Sequence, residues 1–91
     1  MPTVKIYTRR WCGYCTSALR LLASKGISFE EIDTTGNHEL RRWLVDVSGG
    51  RTTVPQIFIG ERSIGGYDEL RALERTGELD RLLGVRSSAR A

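Results

Sequence analysis

The residues best suited to chemistry are Cys12 and Cys15, which are the two cysteines of the chain. Two thiols three positions apart on the first turn of a helix lie close enough to form a disulfide with little strain. The partial positive charge and the free N–H groups at a helix N-terminus stabilise a thiolate on the first of them. We therefore predict that Cys12 is the attacking thiol and that Cys15, one turn further along, is the resolving thiol.

Three residues just before Cys12 bear on its reactivity. Arg9 and Arg10 bring positive charge that favours a thiolate and attracts an acidic thiol substrate, and an ordinary surface role is the alternative for each of them. Trp11 either forms an apolar wall beside Cys12 or packs within its own loop. The sequence leaves these alternatives open.

Structural zinc and a pair of inert buried thiols are the alternatives to redox chemistry at these cysteines. A zinc site needs two further ligands, whereas His38 is the single histidine and the chain has no second C-x-x-C. Cysteines this close together also cannot join distant segments as a secreted disulfide framework does. Redox chemistry is therefore the preferred interpretation.

The composition is that of one small globular domain. Of the 91 residues, 40% are hydrophobic and 27% are charged, which does not resemble a disordered chain or a membrane protein. The net charge of +3 comes from cations mixed with acids, without the basic stripe of a nucleic-acid-binding protein. No apolar stretch suits a secretory signal or a membrane span. We expect a cytoplasmic protein with a folded domain over residues 1–85 and a disordered tail over 86–91.

The elements that position the thiols follow from hydrophobic periodicity, which predicts the order β, α, β, α, β, β, α. A strand, a crossover helix and a second strand make the first two strands parallel, and the closing hairpin adds antiparallel strands. The result is a small mixed sheet covered by helices. Strands are predicted at 3–8, 27–33, 56–59 and 61–65. The first helix is predicted at about 12–25 and the second from the N-cap Asn37 to Ser48. A last helical region follows Gly66, and Gly77 divides it into two helices.

Two details of these elements are further predictions. Glu30 and Glu31 interrupt the alternation of the second strand, which indicates a bulge. One face of the second helix is expected to pack on the sheet. That face contains Leu40, Trp43, Leu44 and Val47.

Four spaced segments resemble a known family. They are Val4–Thr8, Cys12–Cys15, Arg51–Gly60 and Ile64–Leu70. Together they resemble the dithiol glutaredoxins of the thioredoxin-fold superfamily, over residues 3 to about 84. The resemblance implies an α/β fold with a four-stranded mixed sheet in the order 2-1-3-4. It also implies an enzyme that uses glutathione to reduce glutathione mixed disulfides and protein disulfides, with glutathione reductase restoring the glutathione.

The resemblance further implies a glutathione site beside Cys12. In the family the peptide bond corresponding to Val54–Pro55 is cis, and the N–H groups after Gly66 hold the γ-glutamyl carboxylate while Asp68 pairs with the α-ammonium. The glycyl carboxylate is assigned to Arg9 and to a cation of the second helix, Arg42 or Arg41. The glutathione contacts implied for this chain are Arg9, Tyr14, Arg42, Thr53, Val54, Pro55, Gly66, Tyr67 and Asp68.

Gly13 departs from the family pattern, which usually has proline there. Glycine makes the helix start more flexible. Some glutaredoxin-like proteins without this proline hold a [2Fe-2S] cluster between two protomers, and Cys12 would then be a cluster ligand beside glutathione. A cluster-bridged homodimer acting as carrier or sensor is therefore an alternative to a monomeric enzyme. A mycoredoxin-like reductase that uses another thiol or thioredoxin reductase is a second alternative.

Overall fold

A four-stranded sheet forms the centre of the protein in the computed structural model, which describes residues 2–85. The strands are β1 (Val4–Thr8), β2 (Glu30–Asp33), β3 (Gln56–Ile59) and β4 (Arg62–Gly65). They lie in the order β2-β1-β3-β4, with β1 parallel to β2, β1 antiparallel to β3, and β3 antiparallel to β4. This arrangement confirms the predicted sheet.

Four helices accompany the sheet: α1 (Gly13–Ser24), α2 (His38–Val47), α3 (Tyr67–Thr76) and α4 (Glu78–Leu83). Gly77 divides α3 from α4 as predicted, in a left-handed conformation with φ of 81°. None of these helices, which lie within residues 2–85, has the length and apolarity to cross a membrane. The tail predicted over 86–91 lies outside the residues that the structure describes.

The hydrophobic core lies between the sheet and helices α1, α3 and α4. Alternate residues of a strand point to opposite faces, so Ile6 and Ile57, both fully buried, point into this core. The core side chains come from three strands and three helices, and they are Val4, Ile6, Ala18, Leu22, Ile57, Ile59, Ile64, Leu70, Leu79 and Leu83.

Helix α2 covers the other face of the sheet only in part. Leu44 is buried there, and the rings of Tyr7 and Trp43 are 5.7 Å apart. Trp43 therefore packs on the sheet as predicted but keeps 46% of its surface exposed, and Val47 keeps 41%. Both side chains stay partly exposed because α2 contributes no residue to the main core, and its apolar side covers only a small part of the sheet.

Strand β2 is shorter than predicted and contains no bulge. It pairs with β1 in unbroken register from Glu30 to Asp33. Residues 27–29 are irregular, although Ile27 and Phe29 still pack against the core. The irregularity of the sheet lies instead between Ile57 and Phe58, where the register of β3 against β4 shifts.

Strand directions bring four chain segments to one edge of the sheet. Tyr7 at the end of β1 pairs with Gln56 at the start of β3, and Gly65 at the end of β4 pairs with Ile57. Because β2 is parallel to β1, Asp33 at its end lies opposite Thr8. The starts of α1 and α3 therefore emerge at the same edge as the turn before β3.

Helix α1 begins with Cys12 as its N-cap and Gly13 as its first helical residue. Cys12 has φ of −117° and ψ of 107°, the extended conformation that a residue before proline requires. A β-carbon built on Gly13 would meet no atom within 4 Å. Proline is favoured at the first helical position because its missing N–H has no partner there.

The end of α1 is joined to α3 and α4 by a buried ion cluster. The side chain of Lys25 is 7% exposed, and its Nζ pairs with Glu74 and lies 2.8 Å from Asp80 Oδ1. Burial opposes the charged form of Lys25, but hydrogen bonds to Asp80 and Glu74 outweigh this effect and raise its pKa. The single cation of Lys25 therefore joins three helices by attracting two carboxylates.

Replacing Lys25 is expected to destabilise the protein. The Lys25→Met variant keeps much of the apolar stem but leaves two carboxylates facing each other, and it should lower the free energy of unfolding by about 3 kcal/mol. Urea denaturation monitored by circular dichroism measures the difference. As a matched control, Glu78→Gln breaks the exposed pair with Arg81 and should leave the midpoint almost unchanged. An equal effect of both variants would contradict the importance of the buried cluster.

The Gly13→Pro variant is expected to be more stable than the wild type. The backbone already has the conformation that proline requires, so the main effect is a less flexible unfolded chain, worth about 1 kcal/mol. Denaturation of the fully reduced proteins measures it. The control is Gly26→Ala, which should destabilise because Gly26 has φ of 68°. A less stable Gly13→Pro protein would mean that the start of α1 has a different geometry.

Candidate active site

The segment that leads into Cys12 is tied to the loop after β2. The carbonyl of Thr8 accepts hydrogen bonds from the Thr34 N–H at 2.7 Å and from the Thr34 hydroxyl at 2.8 Å. The Arg10 N–H donates to the Thr35 hydroxyl at 2.9 Å. These bonds fix the path of the backbone between β1 and α1.

The sulfur of Cys12 lies where the sequence predicted a thiolate to be stabilised. Its Sγ accepts a hydrogen bond from the Cys15 N–H at 3.3 Å, at the positive end of α1. The thiol in turn donates to the carbonyl of Val54 at 3.7 Å. This contact joins the start of α1 to the segment before β3. Cys12 is partly exposed, so a substrate can reach it.

Cys15 differs from Cys12 in burial. It is 3% exposed, and burial is the largest of the influences that raise the pKa of its thiol to about 12. The neighbouring Cys12 sulfur also raises this pKa, while the backbone and the charge of Arg9 oppose the change. Cys15 is thus a protonated, shielded thiol at neutral pH, and it is a much weaker nucleophile than a thiolate.

Trp11 takes neither of the positions considered from the sequence. Its side chain is 98% exposed, so it packs neither within its loop nor as a wall against Cys12. Its backbone has φ of 59°, and it is the non-glycine residue with positive φ among those described. A bulky residue in this conformation is unusual. The tight turn from β1 into α1 directs the indole into solvent.

A cleft of about 330 Å³ opens between the starts of α1, β3 and α3. The Val54–Pro55 peptide bond at its floor is cis, as the family resemblance implied. The rings of Tyr14 and Tyr67 are 6.3 Å apart on its sides. Its lining contains Tyr14, Arg51, Thr53, Val54, Pro55, Gly66, Tyr67, Asp68 and Glu69. Seven of the nine predicted glutathione contacts are therefore brought together here.

The start of α3 offers free backbone donors to this cleft. The Gly66 N–H donates to Glu69 Oε1 at 2.8 Å, and the first intrahelical bond runs from the Leu70 N–H to the Gly66 carbonyl. The N–H groups of Tyr67 and Asp68 precede that bond and have no acceptor within the helix. An anion at this end of the cleft can accept hydrogen bonds from these two N–H groups.

Gly65 allows this approach of α3 to the cleft. It has φ of 113°, and a β-carbon there would lie 2.9 Å from Glu69 Oε1 and 3.2 Å from Arg51 Cζ. Arg51 Nη1 lies 3.5 Å from Glu69 Oε1. A side chain at Gly65 would therefore disturb both the pair and the donor geometry at Gly66.

The arginines predicted to bind the glycyl carboxylate of glutathione lie in different places. A neighbouring cleft of about 250 Å³ shares Arg51, Thr53 and Val54 with the first. Both Arg41 and Arg42 line it. Arg9 is exposed and lines neither cleft, which separates it from the other predicted contacts.

Sequence reasoning missed Arg51 and Glu69 as cleft residues. Glu69 had a recognisable signal, because a glutamate three residues after a helix N-cap commonly accepts from the cap N–H. Arg51 had none beyond its place two residues before Thr53. Its role depends on a salt bridge to α3, across 18 positions of sequence.

No group of three side chains that could hold a metal ion occurs within residues 2–85. The two cysteines lie there without a third ligand of the usual kinds. The alternative of structural zinc consequently finds no support in the part of the chain that the structure describes.

The family model that matches the chain is that of the glutaredoxins, over residues 4–64. A glutaredoxin from Pseudomonas aeruginosa is 55% identical over 85 residues, which are 93% of this chain and 100% of the relative. Glutaredoxin 3 from Escherichia coli is 52% identical over 83 residues, 91% of this chain and 99% of the relative.

Solved structures of similar proteins lead to the same family. The solution structure of a glutaredoxin from Brucella melitensis is 53% identical with a TM-score of 0.81, covering 91% of this chain and 89% of that one. A buckwheat glutaredoxin–glutathione complex has a TM-score of 0.84 at 27% identity, covering 91% of this chain and 77% of that one. With a reactive thiol at a helix start and a cleft beside a cis-proline, the chain belongs to the glutaredoxin family of glutathione-dependent thiol-disulfide oxidoreductases.

Proposed function

We propose that the protein reduces glutathione mixed disulfides and protein disulfides through attack by Cys12, with Cys15 as the resolving thiol. The observation that carries this proposal is the position of the Cys12 sulfur, which is partly exposed and 3.7 Å from the Val54 carbonyl at the floor of the cleft. A disulfide bound in the cleft has its sulfur within reach of this thiol.

The cleft suits glutathione at both of its ends. The N–H groups of Tyr67 and Asp68 donate hydrogen bonds to the γ-glutamyl carboxylate, and the Asp68 side chain pairs with the α-ammonium. The second cleft, with Arg41, Arg42 and Arg51, suits the glycyl carboxylate. The complex of a buckwheat glutaredoxin with glutathione supports this choice of ligand.

The middle of glutathione lies between these ends. Tyr14 packs against it, and the backbone of Thr53, Val54 and Pro55 aligns its cysteinyl residue with Cys12. Arg9 lines neither cleft, so any contribution that it makes to glutathione binding is through its charge at longer range.

The first chemical step transfers glutathione to the enzyme. The Cys12 thiolate attacks the glutathionyl sulfur, a bond forms between the two sulfurs, and the substrate thiolate leaves and takes up a proton. The Cys15 N–H that donates to the Cys12 sulfur also stabilises the thiolate before attack. The substrate is reduced and Cys12 is oxidised to a mixed disulfide.

The second step has two routes. A second glutathione thiolate attacks the glutathionyl sulfur, which releases glutathione disulfide and restores the Cys12 thiolate. Alternatively, Cys15 loses its proton and attacks the Cys12 sulfur, which forms a Cys12–Cys15 disulfide and releases glutathione; two further glutathione molecules then reduce this disulfide and leave as glutathione disulfide. Once Cys12 is in a disulfide, its sulfur no longer raises the pKa of Cys15, but burial, the largest cause, remains. The route through glutathione therefore dominates for small substrates.

The proposed partners are glutathione, polypeptides with glutathionylated or disulfide-bonded cysteines, and glutathione reductase indirectly. A cytoplasmic location and a monomeric state stay predictions from the sequence. The [2Fe-2S]-bridged homodimer also stays a prediction. In it, Cys12 would be the one ligand that each chain supplies, and residues 2–85 contain no group of three metal-ligating side chains. A visible absorption spectrum of anaerobically reconstituted protein without a cluster band would count against that dimer.

Serine variants of the two cysteines separate their roles. Cys12→Ser should reduce turnover of the mixed disulfide of glutathione and 2-mercaptoethanol to the uncatalysed rate, because the attacking sulfur is lost. Cys15→Ser should keep this activity within about threefold of the wild type while losing at least about tenfold on an intramolecular protein disulfide. Coupling the reaction to glutathione reductase and NADPH measures the turnover of the wild type and of both variants.

Two results of that assay would contradict the proposal. Equal loss from both serine variants on the small substrate would overturn the assignment of roles. Turnover by the wild type with thioredoxin reductase, but none with glutathione and its reductase, would overturn the choice of reductant.

Selective alkylation tests the difference between the two thiols. Iodoacetamide at about pH 7.5 should modify Cys12 and spare Cys15, because Cys15 is buried and its pKa of about 12 leaves almost no thiolate. Labelling of Cys15 should rise as the pH approaches that pKa or when the protein is unfolded. Fragmentation of the peptide between Arg10 and Arg20 by mass spectrometry locates the label. Comparable labelling of both thiols at neutral pH would contradict this environment for Cys15.

A further inference from the structure

Two aromatic side chains flank Cys12 on the surface, and only one of them belongs to the glutathione cleft. Tyr14 is 65% exposed and lines the cleft beside Tyr67. Trp11 is 98% exposed, the most of any large apolar side chain within residues 2–85, and it lines neither cleft. An indole in this position contributes nothing to the core and is available to a partner.

The backbone presents Trp11 in a defined place. Its turn is tied on one side by the hydrogen bond from the Arg10 N–H to Thr35 and continues on the other into Cys12, the N-cap of α1. The left-handed conformation of Trp11 is one that a bulky residue rarely adopts. The backbone thus fixes the point at which the indole leaves the surface, beside Cys12.

The disulfide substrate has two halves that need different surfaces. Its glutathionyl half fits the cleft that contains Tyr14 and Tyr67. The other half is the thiol that leaves, and a polypeptide carrying it must spread over the surface around Cys12 that the cleft does not occupy. Arg9, Arg10 and Trp11 are consecutive, exposed and adjacent to Cys12, and they form part of that surface.

We propose that Arg9, Arg10 and Trp11 form a docking surface for polypeptide substrates whose cysteine is flanked by apolar and acidic residues. The indole of Trp11 packs on the apolar side chain, as tryptophans do at the centres of protein interfaces. The two guanidinium groups attract the acidic residues and increase the rate of encounter. This inference rests on the proposed function, because it names the class of substrate that the same thiol attacks.

Two mixed disulfides with the same glutathionyl half test the surface. One is the mixed disulfide of glutathione with 2-mercaptoethanol, and the other is a glutathionylated hexapeptide with a phenylalanine and two glutamates around its cysteine. For Trp11→Ala we expect KM for the peptide to rise about tenfold with kcat within about twofold. The kcat/KM for the small substrate should stay within about twofold of the wild type.

Further variants give the matched controls. Trp11→Phe should restore most of the peptide KM, since it keeps an aromatic ring. Arg10→Ala should raise the peptide KM by about threefold at low salt and by less at high salt. Trp43→Ala removes a partly exposed indole from α2 and should leave KM and kcat unchanged for both substrates.

Fluorescence gives a readout that a purely structural role would not produce. The chain has two tryptophans, so Trp43→Phe leaves Trp11 as the single indole. When the glutathionylated hexapeptide binds to a protein that also carries Cys12→Ser and so cannot attack the disulfide, the emission of Trp11 should shift to shorter wavelength. Binding of glutathione alone to the same variant should leave the emission unchanged.

Each outcome decides the proposal. An unchanged peptide KM in Trp11→Ala would overturn it, and so would an equal loss on both substrates, which would mean that Trp11 only shapes the turn before Cys12. Absence of turnover of the small mixed disulfide by the wild type would instead overturn the proposed function itself.

Discussion

The hydrogen bond from the Cys15 N–H to the Cys12 sulfur depends on where α1 begins, and the site depends on that bond. Cys12 is the N-cap, so its sulfur lies over the free end of the helix while Cys15, one turn later, faces the interior. One helix start thus produces two thiols with opposite properties. If the helix began one turn earlier, Cys12 would lose its donor; if it began one turn later, Cys15 would lose its place in the core.

The sheet explains why a binding cleft forms beside this helix start. Since β1 is antiparallel to β3 and β3 is antiparallel to β4, the end of β1, the turn before β3 and the end of β4 meet at one edge. The thiol, Pro55 and the start of α3 reach the site from these three segments. In the proposed function each segment has a different role: it supplies the reacting sulfur, a backbone that aligns a peptide, or N–H groups that donate to a carboxylate. The site thus brings together residues more than 40 positions apart, such as Cys12 and Val54.

Local patterns predicted much of this arrangement. The alternation in β1, the N-cap at Asn37 and the glycine between α3 and α4 all depend on neighbouring residues, and the structure confirms them. Predictions that depended on distant packing were less successful. Trp43 and Val47 lie on a helical apolar stripe, but periodicity does not reveal how much of the sheet α2 has to cover. Glu30 and Glu31 interrupt an alternation, yet both lie on an edge strand with exposed side chains, where alternation carries little information.

By itself, the sequence determined the reactive pair, the helix that begins at it and the family to which the chain belongs, because these depend on residue types at short spacing. The tertiary structure alone decided the burial that raises the pKa of Cys15, the pairing of Arg51 with Glu69 and the separation of Arg9 from both clefts. It also decided that Trp11 faces solvent instead of packing. The physical reason is that burial and ion pairing are set by segments far apart in the chain, which meet only once the strands are in register.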